Sequence, residues 1–119
     1  MLVNATHMLQ SAEKGHYGLG AFNTNNLEWA QAILTAAEEE QSPLIVQCSM
    51  GAAKYQGGYN VVYNIVNTLV KNMNITVPVA LHLDHGNYEA CFEAMDAGFT
   101  SIMYDGSHEK SFDINVEHT

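Results

Sequence analysis

Short apolar runs alternate with helix-like segments along the chain, and this alternation constrains the fold more than any other feature. Strands are predicted at residues 17–22, 44–48, 79–83 and 100–104. Apolar residues at helical spacing follow each strand, at residues 27–40, 59–72, 88–97 and 112–119. This strict alternation is typical of consecutive βα units around a parallel sheet. The sequence therefore predicts an α/β fold.

Local signals predict three further features. A short helix at residues 6–13, capped by Asn4 or Thr6, precedes the first strand. The glycine-rich stretch at residues 51–58 predicts a loop. Glu38–Glu40 lie near a helix C-terminus, where their charge opposes the helix dipole, so we interpret them as a solvated face and not as a site.

The charge balance excludes several classes of partner. The chain has 13 acidic residues against four lysines and no arginine, so it lacks the basic surface that binds nucleic acid or anionic lipid. Its apolar runs are far shorter than a membrane span. Cys48 and Cys91 form no C-x-x-C pattern, which favours buried thiols over a disulfide. We therefore expect a cytoplasmic protein that binds neither nucleic acid nor membrane.

Polar side chains stand where each predicted strand ends. The carboxyl ends of parallel strands lie at one edge of a sheet, so these side chains are expected to converge although they are distant in sequence. They are Asn23, Ser49, Asp84, His85 and Asp105.

The pentapeptide from His82 to Gly86 carries the most chemical information. Alternation on a strand places His82 and Asp84 on one face and His85 at or beyond the strand end. A histidine there suits a catalytic metal site, and the neighbouring carboxylate could move a proton. The alternative is structural: His82 packs in the core, which we prefer for that residue, and Asp84 caps the next helix.

The remaining strand-end residues leave alternatives open. Asp105 could bind a metal, orient His85, or cap the fourth helix. Asn23 and Ser49 could simply satisfy nearby loop backbone. Neither a phosphate-binding P-loop nor a dinucleotide fingerprint has the required spacing.

Several motifs occur in the order found in one enzyme family. The sequence resembles class II fructose-bisphosphate aldolases along essentially its whole length. The segments that carry the resemblance are Gly20-Ala21-Phe22-Asn23, Asn26-Leu27-Glu28, Ser42-Pro43-Leu44-Ile45, Gly51-Ala52-Ala53-Lys54-Tyr55, His82-Leu83-Asp84-His85-Gly86, and Ala97 to Met103 running into Asp105.

The resemblance implies a TIM (β/α)8 barrel, of which this chain supplies about the first four βα units. It also implies a catalytic divalent metal, usually zinc, and is compatible with a second divalent or monovalent cation. The implied reaction is the reversible cleavage of fructose 1,6-bisphosphate to dihydroxyacetone phosphate and glyceraldehyde 3-phosphate. The implied partners are a phosphorylated ketose substrate and further copies of the full-length chain, in a dimer or tetramer.

The family motif also implies residue roles. His85 would be one zinc ligand, and Asp84 the acid/base that exchanges a proton with the substrate hydroxyl on C4. Asn23 and Ser49 would contact the dihydroxyacetone-phosphate half of the substrate. Asp105 stands where family members can bind the metal in an alternative, displaced position.

Two departures from the family pattern stand out. Gly106 replaces the alanine of many family members. A complete barrel needs about 250 residues, so we expect residues 1–119 to be one incomplete domain that is inactive alone. The other zinc histidines and the phosphate loop would lie downstream.

Three alternatives remain at this stage. Tagatose-bisphosphate aldolases share these motifs and differ in the stereochemistry accepted at C4. A Schiff-base aldolase is disfavoured, because the four lysines are predicted on helices or in loops. The third alternative is a non-catalytic half-barrel that keeps the motif without the reaction.

Overall fold

Four parallel strands form one sheet whose spatial order follows the sequence. The computed structural model describes residues 1–119. The strands are β1 (Gly20–Asn23), β2 (Leu44–Ser49), β3 (Val79–Gly86) and β4 (Ser101–Tyr104). Asn23, Gln47, His82 and Ser101 stand side by side in one register row. The predicted α/β fold with parallel strands is confirmed.

Six helices connect or flank the strands. They are α1 (Thr6–Gly15), α2 (Leu27–Glu39), α3 (Met50–Gln56), α4 (Tyr59–Asn72), α5 (Tyr88–Ala97) and α6 (Phe112–His118), with a 3-10 turn at Gly106–His108. Side-chain caps begin two of the long helices: Asn26 accepts from the backbone N–H of Trp29 before α2, and Asn87 accepts from that of Ala90 before α5. None of the helices is both long and apolar enough to cross a membrane.

The main core lies between the sheet and helices α2 to α5. Alternate residues of β2 and β3 point toward these helices. The largest fully buried aliphatic side chains of this core are Leu34, Val46, Val62, Val66, Val79, Leu81 and Leu83. The opposite face of the sheet is covered only near its amino end, where Ala5 and Met8 pack on Ala80. That face is therefore polar and open toward the carboxyl ends of the strands.

The predicted loop at residues 51–58 is wrong, because helix α3 occupies most of it. Ser49 caps this helix by accepting a hydrogen bond from the backbone N–H of Ala52 at 3.2 Å. Gly57 ends the helix with a φ of 103°, which only glycine adopts without strain. Glycine content alone suggested a loop, whereas a serine at the strand end begins a helix.

Glu38 has a structural role that the sequence did not reveal. Its carboxylate accepts hydrogen bonds from the Thr76 backbone N–H at 2.7 Å, the Thr76 hydroxyl at 2.6 Å and the Val77 N–H at 3.3 Å. These bonds tie the end of α2 to the segment that leads into β3. The interpretation of Glu38 as merely solvated is therefore wrong.

Candidate active site

The end of β3 brings one histidine between two carboxylates. His85 Nδ1 lies 2.8 Å from Asp105 Oδ2, and His85 Nε2 lies 3.7 Å from Asp84 Oδ1. The His85 side chain is 60% exposed, against 23% for Asp84 and 14% for Asp105. The imidazole therefore faces solvent while both carboxylates are partly enclosed, which suits a group that binds something from solution.

The backbone of His85 explains why its side chain reaches Asp105. Its φ is 54°, in the left-handed region that non-glycine residues rarely adopt. The pairing of β3 with β4 shifts register between Leu83 and Gly86, around this residue. Such local strain is frequent at functional positions. The simple alternation predicted for the strand therefore stops at Asp84.

Charge and hydrogen bonding stabilise the ionised forms of this pair. The hydrogen bond to Asp105, and then the charge of Asp84, raise the pKa of His85. Hydrogen bonds from Ser107, and then the bond to His85, hold the pKa of Asp105 well below its usual range. An ionised carboxylate only accepts hydrogen bonds, so Nδ1 of His85 must be the donor. The lone pair of the neutral imidazole then belongs to Nε2.

A second chain of contacts links the site to β1. The Gln47 side-chain amide donates to Asn23 Oδ1 at 2.8 Å and to Asp84 Oδ2 at 3.1 Å. Asn23, Gln47 and Asp84 thus form one connected group with His85 and Asp105. Sequence analysis did not single out Gln47, although its place two residues before Ser49 puts it on the face that carries Asp84.

Ser49 lies at the same edge of the sheet, but its hydroxyl binds the start of α3 and not the carboxylates. It pairs in register with Asp84, but its hydroxyl oxygen accepts the capping bond of α3. The hydroxyl hydrogen remains available for a further partner. Ser49 is thus adjacent to the carboxylates without bonding to them.

The structural alternatives can now be decided. His82 Nδ1 lies 2.7 Å from the Ser101 hydroxyl, so His82 has a structural hydrogen bond, but its ring is only half-buried and does not lie in the core. Asp84 does not cap α5, because Asn87 does. Asp105 does not cap α6, whose first residue follows Ser111; it caps the 3-10 turn by accepting from the Ser107 N–H at 2.9 Å.

The donor set fits part of a metal site. A metal-binding histidine typically donates its other ring N–H to a carboxylate, as His85 does to Asp105. No group of three or more histidine, cysteine, aspartate or glutamate side chains in the chain is arranged to hold a metal ion. Of these side chains, His85 could supply one ligand, with Asp105 as the carboxylate that orients its ring.

The profile of a known family matches nearly the whole chain. The family described as fructose-bisphosphate aldolase class-II matches residues 3–119. The chain belongs to the class II fructose-bisphosphate aldolase family. The resemblance inferred from the motifs is confirmed.

Individual aldolases are similar to this chain. A fructose-bisphosphate aldolase of Streptococcus pyogenes serotype M3 is 58% identical over 90% of this chain and 36% of its own length. One from Geobacillus stearothermophilus is 57% identical over 99% of this chain and 41% of its own length. The crystal structure of the YdjI aldolase from Escherichia coli K12 superposes with a TM-score of 0.86 at 29% identity, covering 98% of this chain and 44% of that one. The chain thus spans about two fifths of the curated relatives it matches.

Proposed function

We propose that this chain contributes to an aldolase that reversibly cleaves fructose 1,6-bisphosphate to dihydroxyacetone phosphate and glyceraldehyde 3-phosphate. The observation that carries the proposal is the group formed by Asp84, His85 and Asp105, in which a solvent-facing imidazole has a carboxylate on each side. Family membership supports the reaction class. The names of the relatives at 57–58% identity favour fructose bisphosphate over tagatose bisphosphate, and an enzyme over a non-catalytic half-barrel.

His85 is the proposed metal ligand, and Nε2 is the proposed binding atom. Donation from Nδ1 to Asp105 leaves the lone pair on Nε2 and fixes the orientation of the ring. A bound divalent cation, zinc in our proposal, supplies Lewis-acid stabilisation of the negative charge that develops as the carbon–carbon bond breaks. Asp105 orients His85 here, and its position also suits an alternative metal position. A second divalent or monovalent cation belongs to the proposal as well.

Asp84 is the proposed acid/base. Its carboxylate is partly exposed, lies 3.7 Å from His85 Nε2, and is held from the other side by Gln47. A carboxylate in this position can accept the proton of the substrate C4 hydroxyl during cleavage and return it during condensation. Ser49 is paired with Asp84, and Asn23 is linked to it through Gln47; both are the proposed contacts for the dihydroxyacetone-phosphate half of the substrate.

The proposal extends to the whole protein. A phosphorylated ketose is the expected substrate, the cytoplasm the expected location, and a homodimer or homotetramer the expected assembly. This chain has no arginine, so the substrate phosphates must bind backbone N–H groups, lysine, hydroxyls or residues outside it.

The decisive experiment measures cleavage of fructose 1,6-bisphosphate by the full-length gene product. Treatment with EDTA is expected to abolish cleavage and added zinc to restore it. His85→Ala is expected to lose both zinc and activity, whereas Glu117→Ala, on the exposed face of α6, is expected to retain both. Cleavage that resists EDTA, or that survives in His85→Ala, would overturn the proposal.

A further inference from the structure

Asn115 on α6 contacts the turn that follows Asp105. Its side-chain Nδ2 donates a hydrogen bond to the backbone oxygen of Gly106 at 3.0 Å, and the side chain is half-buried. The amide lies so close to Gly106 that a Cβ at position 106 would overlap it. Gly106 does not have a positive φ. Space for Asn115, and not backbone conformation, is therefore what requires glycine at this position.

The turn connects this contact to the candidate active site. The Gly106 oxygen also accepts from the Glu109 N–H at 3.1 Å, which closes the 3-10 turn. Inside the turn, the Ser107 N–H donates to Asp105 Oδ1 at 2.9 Å. The other oxygen of the same carboxylate binds His85 Nδ1 at 2.8 Å. A continuous series of hydrogen bonds thus runs from α6 to the imidazole.

We propose that Asn115 is a positioning residue for the active site: it holds the Asp105 turn through the Gly106 oxygen and thereby fixes the orientation of His85. The inference rests on the proposed function, because it takes His85 as the metal ligand. It assigns a functional contact to α6, a helix whose residues make no hydrogen bond to the imidazole. It also explains why residue 106 is glycine.

The geometry explains why such a contact matters. Asp105 follows the last residue of β4, and its only backbone hydrogen bond to β3 runs from its N–H to the Gly86 oxygen, at 2.7 Å. A ligand orientation must be held within about 0.5 Å for efficient catalysis. The Asn115 amide supplies a second anchor on the far side of the turn.

The test compares two substitutions of Asn115 in the full-length zinc enzyme. Asn115→Ala removes the amide, and Asn115→Leu keeps a side chain of similar shape without the hydrogen bond. Alanine and leucine both favour a helix more than asparagine, so neither change weakens α6 itself. Glu117→Ala, at an exposed position two residues from Asn115 on the same helix, is the matched control.

Four quantities are measured on each variant. We expect kcat to fall about tenfold while KM changes less than about twofold, and zinc affinity, measured by competition with a chelator, to fall about tenfold. We expect amide hydrogen exchange in the peptide covering residues 105–108 to become faster, because the turn loses its anchor. The exchange measurement does not depend on activity.

Gly106→Ala tests the same contact from the other side. Its Cβ is expected to displace the Asn115 amide and to reproduce the kinetics and exchange of Asn115→Ala. The double variant is expected to be no worse than either single variant, because both changes remove one contact. If the loss in the double variant instead equalled the product of the two single-variant losses, the inference would be contradicted.

The outcomes separate this inference from the proposed function. If His85→Ala is inactive but both Asn115 variants keep wild-type exchange, zinc affinity and kcat, the inference fails and the proposed function stands. Faster exchange with unchanged zinc affinity and kcat also overturns the inference, because the turn would then not control the orientation of the imidazole. If His85→Ala remains active, both fail.

Discussion

At the scale of single residues, the site depends on two histidines in opposite environments. His85 is exposed and lies between two carboxylates, which raise its pKa. His82 is half-buried beside Ser101, and burial lowers its pKa, with Asp84 opposing the shift. The pKa values of two histidines that are three residues apart on one strand are therefore shifted in opposite directions.

This difference predicts the order in which the two imidazoles titrate. In EDTA-treated full-length protein, NMR should place the pKa of His85 above the ordinary value of about 6.5 and that of His82 below it. Asp105→Asn should lower the pKa of His85, because it removes the largest stabilising contact, and leave His82 nearly unchanged. Protonation competes with a metal for Nε2, so zinc affinity should fall as the pH drops through the raised pKa. A His82 that titrates above His85 would contradict this assignment.

Asp84→Asn separates proton transfer from metal binding. The amide keeps the shape of the side chain but cannot exchange a proton, so we expect kcat to fall by about 10²–10⁴-fold. Zinc content should equal that of the wild type, because His85 and Asp105 are unchanged. Steady-state kinetics and metal analysis of the same preparation check both points. Loss of zinc together with activity would instead identify Asp84 as a ligand.

At the scale of elements, connections outside the site hold the strands that carry it. The Glu38 carboxylate joins the end of α2 to Thr76 and Val77, just before β3. Its position at a helix C-terminus is electrostatically unfavourable, but three hydrogen bonds compensate and lower its pKa. The bonds to Thr76 are the largest cause.

The lowered pKa of Glu38 predicts how stability depends on pH. A carboxyl whose pKa is lower in the folded state stabilises the fold above its unfolded value, and this contribution is lost as the pH falls through the folded pKa. Glu38→Gln should therefore lower the thermal midpoint at pH 7. The difference from wild type should shrink once the pH falls below about 4.3. The adjacent exposed Glu39→Gln is the control, and an equal effect of both variants would contradict the role of Glu38.

Gly98 ends α5 and allows close packing against α4. Its φ is 104°, and a Cβ there would come within 2.7 Å of the Tyr63 ring. Gly98→Ala should therefore destabilise the protein by about 1–3 kcal/mol in denaturant unfolding. Gly51→Ala is the matched control, because Gly51 is helical and its nearest neighbour would be 3.9 Å away; it should be neutral or slightly stabilising. Equal losses would show that glycine content, and not conformation, matters.

At the scale of the whole molecule, the sheet has two open edges and a polar face. β1 and β4 each have a strand neighbour on one side only. Exposed aromatic side chains such as Phe22 on β1, which is 51% exposed, lie at these edges. Unpaired edge strands with apolar neighbours favour association with other chains.

Residues 1–119 expressed alone should therefore associate and lack aldolase activity. Light scattering should detect oligomers or aggregates, and no cleavage of fructose 1,6-bisphosphate should be measurable with or without zinc, because His85 alone does not make a three-ligand site. Co-expression with the remaining part of a class II aldolase should restore a soluble complex. A monomeric, active 119-residue protein would contradict this prediction.

The sequence by itself determined the alternation of strands and helices apart from α3, the parallel α/β class and the residues at the strand ends. These features follow from local periodicity and from strand geometry, which brings Asn23, Ser49, Asp84, His85 and Asp105 to one edge. Several motifs in one order, among them the motif in the third strand, were also sufficient to indicate the family.

Only the tertiary structure decided which of these residues contact one another. The bond between His85 and Asp105 depends on a left-handed backbone and a register shift, and the bonds of Gln47 to Asn23 and Asp84 depend on the alignment of three strands. The Asn115 contact with Gly106 requires α6 to pack beside the turn. Such contacts form or fail through differences of a few tenths of an ångström in the positions of side chains on different elements. The periodicity of the sequence carries no information about these positions.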